Sequence, residues 1–422
     1  MAAALVRHGA AALAALALAP IAGAALLLKP AWREGVSERL GLRGPRVPGS
    51  VWVHGASVGE ILAATRLLDA LAQHGRAIVA STSTATGHAV LARARPDVPR
   101  CFAPLDHPWC AAAALARVAP AALVLVETEL WPCWIAAAVR RRVPVVVVSG
   151  RISERSLPRY QRLAPLLRSS FERLHAVGAR SDADADRFAA LGVAKDRIAV
   201  TGDLKLEAPT VTPALAPEFA SMLGGVPFWV AASTRPGEEE AVLGAHAAAQ
   251  RAGLASALLL APRHLERIPE LVLLLAARDV RWRRRSDANH APLAAGEVLL
   301  LDTLGELPAV FALARFAFVG GTLVPIGGHN VLEPAYAGRG VLFGPHVEKV
   351  REAAALLLAC GGARAVAHEP ALESAVTEWL RYPAQADAYG AAAQRELARH
   401  HGATDRSCAL VLRVLEGAGA RA

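Results

Sequence analysis

Short continuous apolar runs, each followed by a polar turn and an amphipathic stretch, recur along most of this chain. In the first half the runs are Val51–His54, Ala77–Ala80, Leu123–Val126 and Val145–Ser149, with a weaker one at Ile198–Thr201. A second set comprises Phe228–Ala232, Ala257–Leu260, Val298–Leu301, Phe316–Val319 and Gly340–Phe343. Strands that lack polar alternation are buried on both faces, as in parallel sheets. The stretches between them predict helices; in Glu60–Gln73 the apolar positions are Ile61, Leu62, Leu67, Leu68 and Leu71. Strand and helix in alternation predict doubly wound α/β domains. Residues 208–227 hold Pro209, Pro213, Pro217, Gly224, Gly225 and Pro227, and read as a linker. The expectation is two Rossmann-like parallel-sheet domains, 33–207 and 228–422, facing across a cleft. Ligands should gather at the carboxyl ends of the strands. From Ala384 the chain reads as helix, with Arg395, Arg399 and Arg406 making one side basic.

The stretch Gly9–Leu28 breaks this pattern, because it carries no charge over a length that just spans a bilayer. Pro20 interrupts it, and alanine makes it only weakly apolar. Arg7 precedes it, and Lys29, Arg33, Arg39, Arg43 and Arg46 follow. Basic residues beside an apolar helix favour the cytoplasmic face of an anionic membrane. Residues 1–32 are therefore expected to be a membrane-anchoring helix that spans the bilayer or lies in its interface. A cleaved signal peptide shares the basic start, apolar middle and small residues Ala22-Gly23-Ala24.

Composition narrows the classes. The chain has 422 residues, 54% hydrophobic and 20% charged, which is enough for large cores. A net charge of +9 suits nucleic acid or an anionic membrane alike. An aromatic content of 5% and no Lys/Arg stripe interleaved with aromatics argue against nucleic acid. Cys101, Cys110, Cys133, Cys360 and Cys408 are odd in number and form no C-x-x-C pair. That pattern argues against a disulfide framework or a zinc site, and for a reducing compartment.

Candidate chemistry lies where strands end. Val319 leads through Gly320-Gly321, Gly327-Gly328 and His329-Asn330 to Glu333. Glycines admit backbone amides to a ligand, and a following helix start would suit a phosphate. Leu260-Ala261-Pro262-Arg263-His264 ends another strand with a guanidinium fit for phosphate or carboxylate. Asp302-Thr303-Leu304-Gly305-Glu306-Leu307 ends a third, and Ser233-Thr234-Arg235 a fourth. In the first half, Gly55-Ala56-Ser57-Val58-Gly59 matches the G-x-S-x-G nucleophile elbow in its strand–turn–helix context. It follows the first strand, however, and no oxyanion loop precedes it. The better reading gives the chemistry to Glu60, in the first helical turn, where the dipole favours an ionised carboxylate. An ordinary capping glutamate would look the same. Glu127-Thr128-Glu129 sits at a strand end, and Lys205 follows the run Ile198–Thr201. Ser181-Asp182-Ala183-Asp184 suggests a D-x-D metal site, but helix capping by Ser181 or Asp182 accounts for it better.

Together these segments resemble the 3-deoxy-D-manno-octulosonic acid (Kdo) transferases of lipopolysaccharide biosynthesis. The matching motifs are HGASVGE at 54–60, ETELWP at 127–132, GRISERS at 150–156, GDLK at 202–205, PRH at 262–264, DTLGEL at 302–307 and FVGGTLVPIGGHNVLEP at 318–334. The resemblance implies a GT-B fold and inverting transfer of Kdo from CMP-Kdo to a lipid A precursor, lipid IVA, at the cytoplasmic face of the inner membrane. It implies that Glu60 is the base and that Glu129 and Lys205 stabilise the transition state. It implies that Pro262, Arg263, Leu304, Gly305, Glu306, Asn330, Val331, Leu332 and Glu333 bind CMP-Kdo. CMP leaves already ionised, so neither a metal nor another cofactor is called for. It also carries the habit of a C-terminal helix that crosses back onto the first half. Asp203 stands where Asn is common, and Ala232 and Arg235 stand where Gly and His are common. The rival readings are a GT-B enzyme using a UDP-sugar, a serine hydrolase built on Ser57, and a non-catalytic nucleotide-binding membrane protein.

Overall fold

The computed structural model describes residues 34–208, 214–278, 280–287 and 291–419. They divide into two compact units. Unit 1 holds the described residues up to Glu207 together with those from His400 onward, and unit 2 is Ala208–Arg399. The expected anchor at 1–32 lies outside the described residues. Among the described residues, no helix is long and apolar enough to cross a membrane.

Unit 1 is built on β1 (Val51–His54), β2 (Ile78–Thr82), β3 (Arg100–Phe102), β4 (Ala122–Val126), β5 (Val145–Gly150), β6 (Ala176–Ala179) and β7 (Ile198–Val200). Every pairing is parallel, and the order is β3-β2-β1-β4-β5-β6-β7. The strand order reverses between β1 and β4, so the loops after those strands splay apart and leave a crevice. Val51 to Val53 and Ala122 to Val126 are almost wholly buried, as the unbroken apolar runs require. One face packs Trp52, Leu123, Trp134 and Phe171; the other packs Val53, Leu67, Leu68 and Val124.

Unit 2 repeats the plan with β8 (Phe228–Thr234), β9 (Ala257–Pro262), β10 (Trp282–Arg284), β11 (Val298–Leu300), β12 (Phe316–Val319), β13 (Gly340–Phe343) and β14 (Ala363–Ala365). The order is β10-β11-β9-β8-β12-β13-β14, again all parallel, and it reverses between β8 and β12.

Two expected boundaries are corrected. The second domain does not run to 422. Ala403, Cys408, Leu410 and Val411 of the last helix, Ala403–Gly419, are buried in the unit 1 core beside Leu67 and Val124. Polar bonds fix the same return. The Asp203 amide donates to His400 Nδ1 at 3.2 Å, and Arg406 Nε donates to the Thr201 carbonyl at 3.1 Å. Glu207 Oε2 accepts from the Thr404 amide at 2.9 Å and from the Thr404 hydroxyl. Nor is 208–227 only a linker. Pro217, at the first helical position where its missing N–H costs nothing, opens the helix Pro217–Leu223. Phe219 and Met222 of that helix are fully buried in unit 2.

The Glu207 contact makes a stability prediction. Glu207→Ala strands two buried donors of Thr404, so unit 1 should lose about 2–4 kcal/mol in a denaturant titration. A loss below about 0.5 kcal/mol would mean that apolar packing alone holds the C-terminal return.

Candidate functional site

In unit 1 the polar residues cluster where the sheet order reverses. Ser57 caps the helix Val58–Gln73: its hydroxyl accepts from the Glu60 amide at 3.3 Å and donates to Glu60 Oε1 at 2.6 Å. Glu60 Oε2 accepts from the Ala56 amide at 2.8 Å. This resembles a capping box, with the carboxylate reaching the amide of the residue before the cap, and it locks the side chain of Glu60. A carboxylate offers about four lone-pair positions, so two bonds still leave it able to accept a proton. The same geometry disposes of the nucleophile elbow. Ser57 is committed to the helix start, and among the described residues it bonds no histidine. His54, the last residue of β1, is fully buried, and burial lowers its pKa to about 4. Its Nδ1 lies 3.0 Å from the Ser81 hydroxyl.

Two more carboxylates enter from the end of β4. Glu127 adopts φ 63°, an uncommon conformation for a residue with a Cβ. Its side chain forms an ion pair with Lys205. Burial raises the Glu127 pKa, against the lowering effect of the Lys205 charge. Among the described residues, Glu129 has no such cation. Burial first, then the charges of Glu60 and Glu127, push it up to about 7. Lys205 also lies beside the first turn of the Glu60 helix: a Cβ on Gly59 would be 3.5 Å from its Cε and 3.7 Å from its Nζ. The structure thus sets Glu129 within electrostatic reach of Glu60 and Glu127, and Lys205 beside the Glu60 helix. It adds Glu127, which sequence reasoning places near the site without a role.

The loop that carries Lys205 is tightly held. Asp203 Oδ1 accepts from the Ser149 hydroxyl at 3.1 Å and from the Lys205 amide at 2.9 Å, while Oδ2 pairs with Arg180 at 3.5 Å. The aspartate at this position is thus a folding element of the loop. Arg180 also reaches Asp184 at 3.4 Å. Asp184 is buried, accepts from the Ile152 amide at 2.9 Å, and follows Ser181, the true helix cap. The D-x-D pattern is helix capping, and no metal-binding cluster exists among the described residues.

In unit 2 the glycine-rich loop corrects the sequence reading. The amides of Gly321, Thr322 and Leu323 do not face a ligand. They donate to Glu238, at 2.6, 2.9 and 2.9 Å, and the Arg235 amide adds a bond at 2.9 Å. Glu238 is fully buried, and these bonds to fixed donors are what make a carboxylate tolerable there. A Cβ on Gly320 would sit 2.7 Å from Glu238 Oε2, so this glycine is required by close packing. The helix after the loop, Leu332–Tyr336, is only five residues long, so it offers little dipole. Among the described residues, no hydrogen bond occupies the amides of Gly327, His329 and Asn330.

The positive charge here comes instead from side chains. Burial first, then the charges of Arg235, Arg263 and Lys349, lower the His329 pKa to about 4. The neutral ring accepts from Arg235 Nε at 3.2 Å. The Arg at 235 is thereby bonded to the HN pair of the loop. Asn330 donates to Glu333 Oε1 at 3.1 Å and accepts from the Leu332 amide at 3.1 Å. Burial raises the pKa of Glu333, against the effects of Asn330 and Arg263. Val331 and Leu332 are buried, so their side chains serve packing. Glu306 accepts from Arg285 at 2.9 Å and from Thr303, which ties it into its own loop. Leu304 is 82% exposed, and Gly305 has φ 87°. Pro262 ends β9 and sends Arg263 toward the His329 and Glu333 group. Nothing in the periodicity of the chain marks Glu238, Arg235 or Lys349, although two of them adjoin a strand end.

Two parallel sheets, each with ligand-ready groups at its switch point, define a two-domain GT-B glycosyltransferase fold. Two solved structures share it: the glycotransferase of kitacinnamycin, with TM-score 0.52 and 16% identity over 88% of this chain and 100% of that one, and MurG of Acinetobacter baumannii, with TM-score 0.51 and 12% identity over 87% and 100%. Residues 34–208 match the family described as 3-Deoxy-D-manno-octulosonic-acid transferase (kdotransferase). A 3-deoxy-D-manno-octulosonic acid transferase of Bordetella pertussis is 36% identical over 395 residues, covering 89% of this chain and 91% of the relative. One from Haemophilus influenzae is 33% identical over 398 residues, covering 92% and 93%. The chain belongs to the 3-deoxy-D-manno-octulosonic acid transferase family.

The raised pKa of Glu129 has a thermodynamic consequence. A carboxyl whose folded pKa lies above its unfolded one binds protons preferentially in the native state, so stability falls as pH rises between about 4.5 and 7. Glu129→Gln removes the charge that causes this loss. It should raise the stability of unit 1 at pH 8, by on the order of 1–2 kcal/mol after solvent screening, and change it little at pH 5. Melting curves at the two pH values check this; an equal effect at both would show that Glu129 is not perturbed.

Proposed function

We propose that this protein transfers Kdo from CMP-Kdo to a lipid A precursor, lipid IVA, with inversion at the anomeric carbon. The observation that carries the reading is the group Glu60, Glu127, Glu129 and Lys205 at the switch point of unit 1. Family relatives named as Kdo transferases along nearly the whole chain support the sugar. The uncharged stretch 9–28 and its basic flanks support a place at the cytoplasmic face of the inner membrane, on anionic lipids.

In this reading the acceptor hydroxyl attacks the anomeric carbon and its proton passes to Glu60. The bond from that carbon to the CMP phosphate oxygen breaks, and CMP leaves with the electron pair. Positive charge grows on the sugar ring in the transition state, and ionised Glu129 stabilises it. Lys205, held by Glu127, balances the carboxylates around it. The departing phosphate, which carries full negative charge, matches Arg235, Arg263 and Lys349 of unit 2, with Asn330 and Glu333 left for sugar or nucleoside contacts. No step calls for a metal.

The test is incubation with CMP-Kdo made in situ and lipid IVA, read by mass spectrometry for added Kdo. Product with CMP-Kdo supports the reading, and turnover of a UDP-sugar in its place would replace it. Glu60→Gln separates the base from the helix cap, because the amide keeps bonds to Ser57 and Ala56 but cannot take a proton. It should cut turnover on the order of 10²–10⁴-fold with CMP binding unchanged and melting temperature not lowered. Near wild-type turnover would reduce Glu60 to a capping residue. Since ionised Glu129 is the active form, wild-type turnover should also rise with pH through about 7, falling about tenfold per unit below it. A flat profile between pH 5.5 and 8 would contradict that role.

A further inference from the structure

Unit 1 carries a second basic site away from the carboxylates. A cavity of about 450 Å³ lies at the outer edge of its sheet, lined by Arg43, Arg100, Arg117 and Glu38 among others. Its walls come from the segment that covers the edge strand β3, from the start of β3 itself, and from the end of the helix Pro108–Val118. β3 lies two strands from β1, whose carboxyl end leads to Glu60. This cavity is therefore separate from the transfer chemistry.

The charges in it are not consumed by the fold. Glu38 serves the structure, since its Oε2 accepts from the Phe102 amide at 2.7 Å and so caps the open edge of β3. Arg117 donates to the Leu42 carbonyl at 2.5 Å, which leaves the rest of its guanidinium donors open. The guanidinium groups of Arg43 and Arg100 have no hydrogen-bond or ion-pair partner among the described residues, and Arg100 Nε is buried without an acceptor. A buried guanidinium donor without an acceptor is costly, which makes it a place for a ligand oxygen. Gly44, at φ 134°, and the rigid Pro45 and Pro99 fix the walls before any ligand arrives.

We infer that this cavity binds the phosphate group of an organic phosphate ester. Guanidinium forks match phosphate oxygens in pairs, and three of them exceed the single carboxylate in the site by two charges. The site is an open groove rather than an enclosed pocket, so it leaves room for the alcohol attached to the phosphate. The ester is a phospholipid headgroup or a soluble phosphate. The wall residues 38–45 follow closely on the uncharged stretch 9–28, which places the first source within reach.

Full-length protein in neutral detergent micelles can be titrated calorimetrically with inorganic phosphate, glycerol 3-phosphate and dihexanoyl phosphatidylglycerol. The comparison is with the double variant Arg43→Gln/Arg100→Gln, which leaves Arg117 and Glu38 in their structural bonds. At least one titrant should lose tenfold or more in affinity in the variant, with melting temperature and transferase turnover unchanged. Preference for the lipid identifies a headgroup, and equal binding of glycerol 3-phosphate identifies a soluble ester. Absence of binding by all three titrants, or binding by the variant equal to wild type, overturns the inference. So does binding lost only in Arg263→Gln, which would assign it to unit 2.

Discussion

The ammonium of Lys205 pairs with Glu127, whose carboxyl feels the charges of Glu60 and Asp203, and unit 1 is arranged to keep it there. Like charges crowded in partly buried space repel, and one of them must protonate or find a cation. Glu127 takes the cation. Asp203 is occupied by Arg180, Ser149 and the Lys205 amide. Glu60 is satisfied by Ser57 and Ala56. Burial first, and then the charges of Glu60 and Glu127, leave Glu129 as the group that titrates near neutrality. The strained φ of Glu127 and the left-handed Ser149, φ 54°, are the backbone side of the same arrangement. The C-terminal return completes it, because His400, Thr404 and Arg406 bond residues 201–207, the loop that carries Lys205.

Unit 2 solves the opposite problem with the same device. Burial, and then the charges of Arg235, Arg263 and Lys349, keep His329 neutral. The glycine-rich loop beside them is shaped from within by buried Glu238, whose four backbone donors fix Arg235 and residues 321–323 together. Glycine is needed there for close approach to Glu238 and to His329. A Cβ on Gly321 would lie 2.8 Å from the His329 ring. Two further polar residues sit at such structural joints: Asp203 organises the Lys205 loop, and Arg235 bonds His329.

Much of the fold is legible in the sequence because buried parallel strands are continuous apolar runs. β1, β12 and β13 fall where the pattern predicts them to the residue. β3, β10 and β14 escape the pattern because each has three residues and contains arginine. β6 escapes it because Ala176-Val177-Gly178-Ala179 is short and small; Gly178 is demanded by Thr201 Oγ1, which would meet a Cβ at 2.6 Å. Glu60, Glu129 and Lys205 are legible as motifs at strand ends. The Glu127–Lys205 pair and the Glu238 hub are not, since both join residues some eighty positions apart. The amphipathic pattern of the last helix shows that it packs, but not against which core.

Direct measurement of the carboxyl charges tests this electrostatic account. Carbon-13 NMR of glutamate side-chain carboxyls, with Glu129 assigned by its loss in Glu129→Gln, gives its pKa in place. The account predicts titration near 7 in the wild type and a shift toward the ordinary glutamate value in Glu60→Gln, where one repelling charge is gone. Titration of Glu129 near 4.5 in the wild type, or a value unmoved by Glu60→Gln, would contradict it.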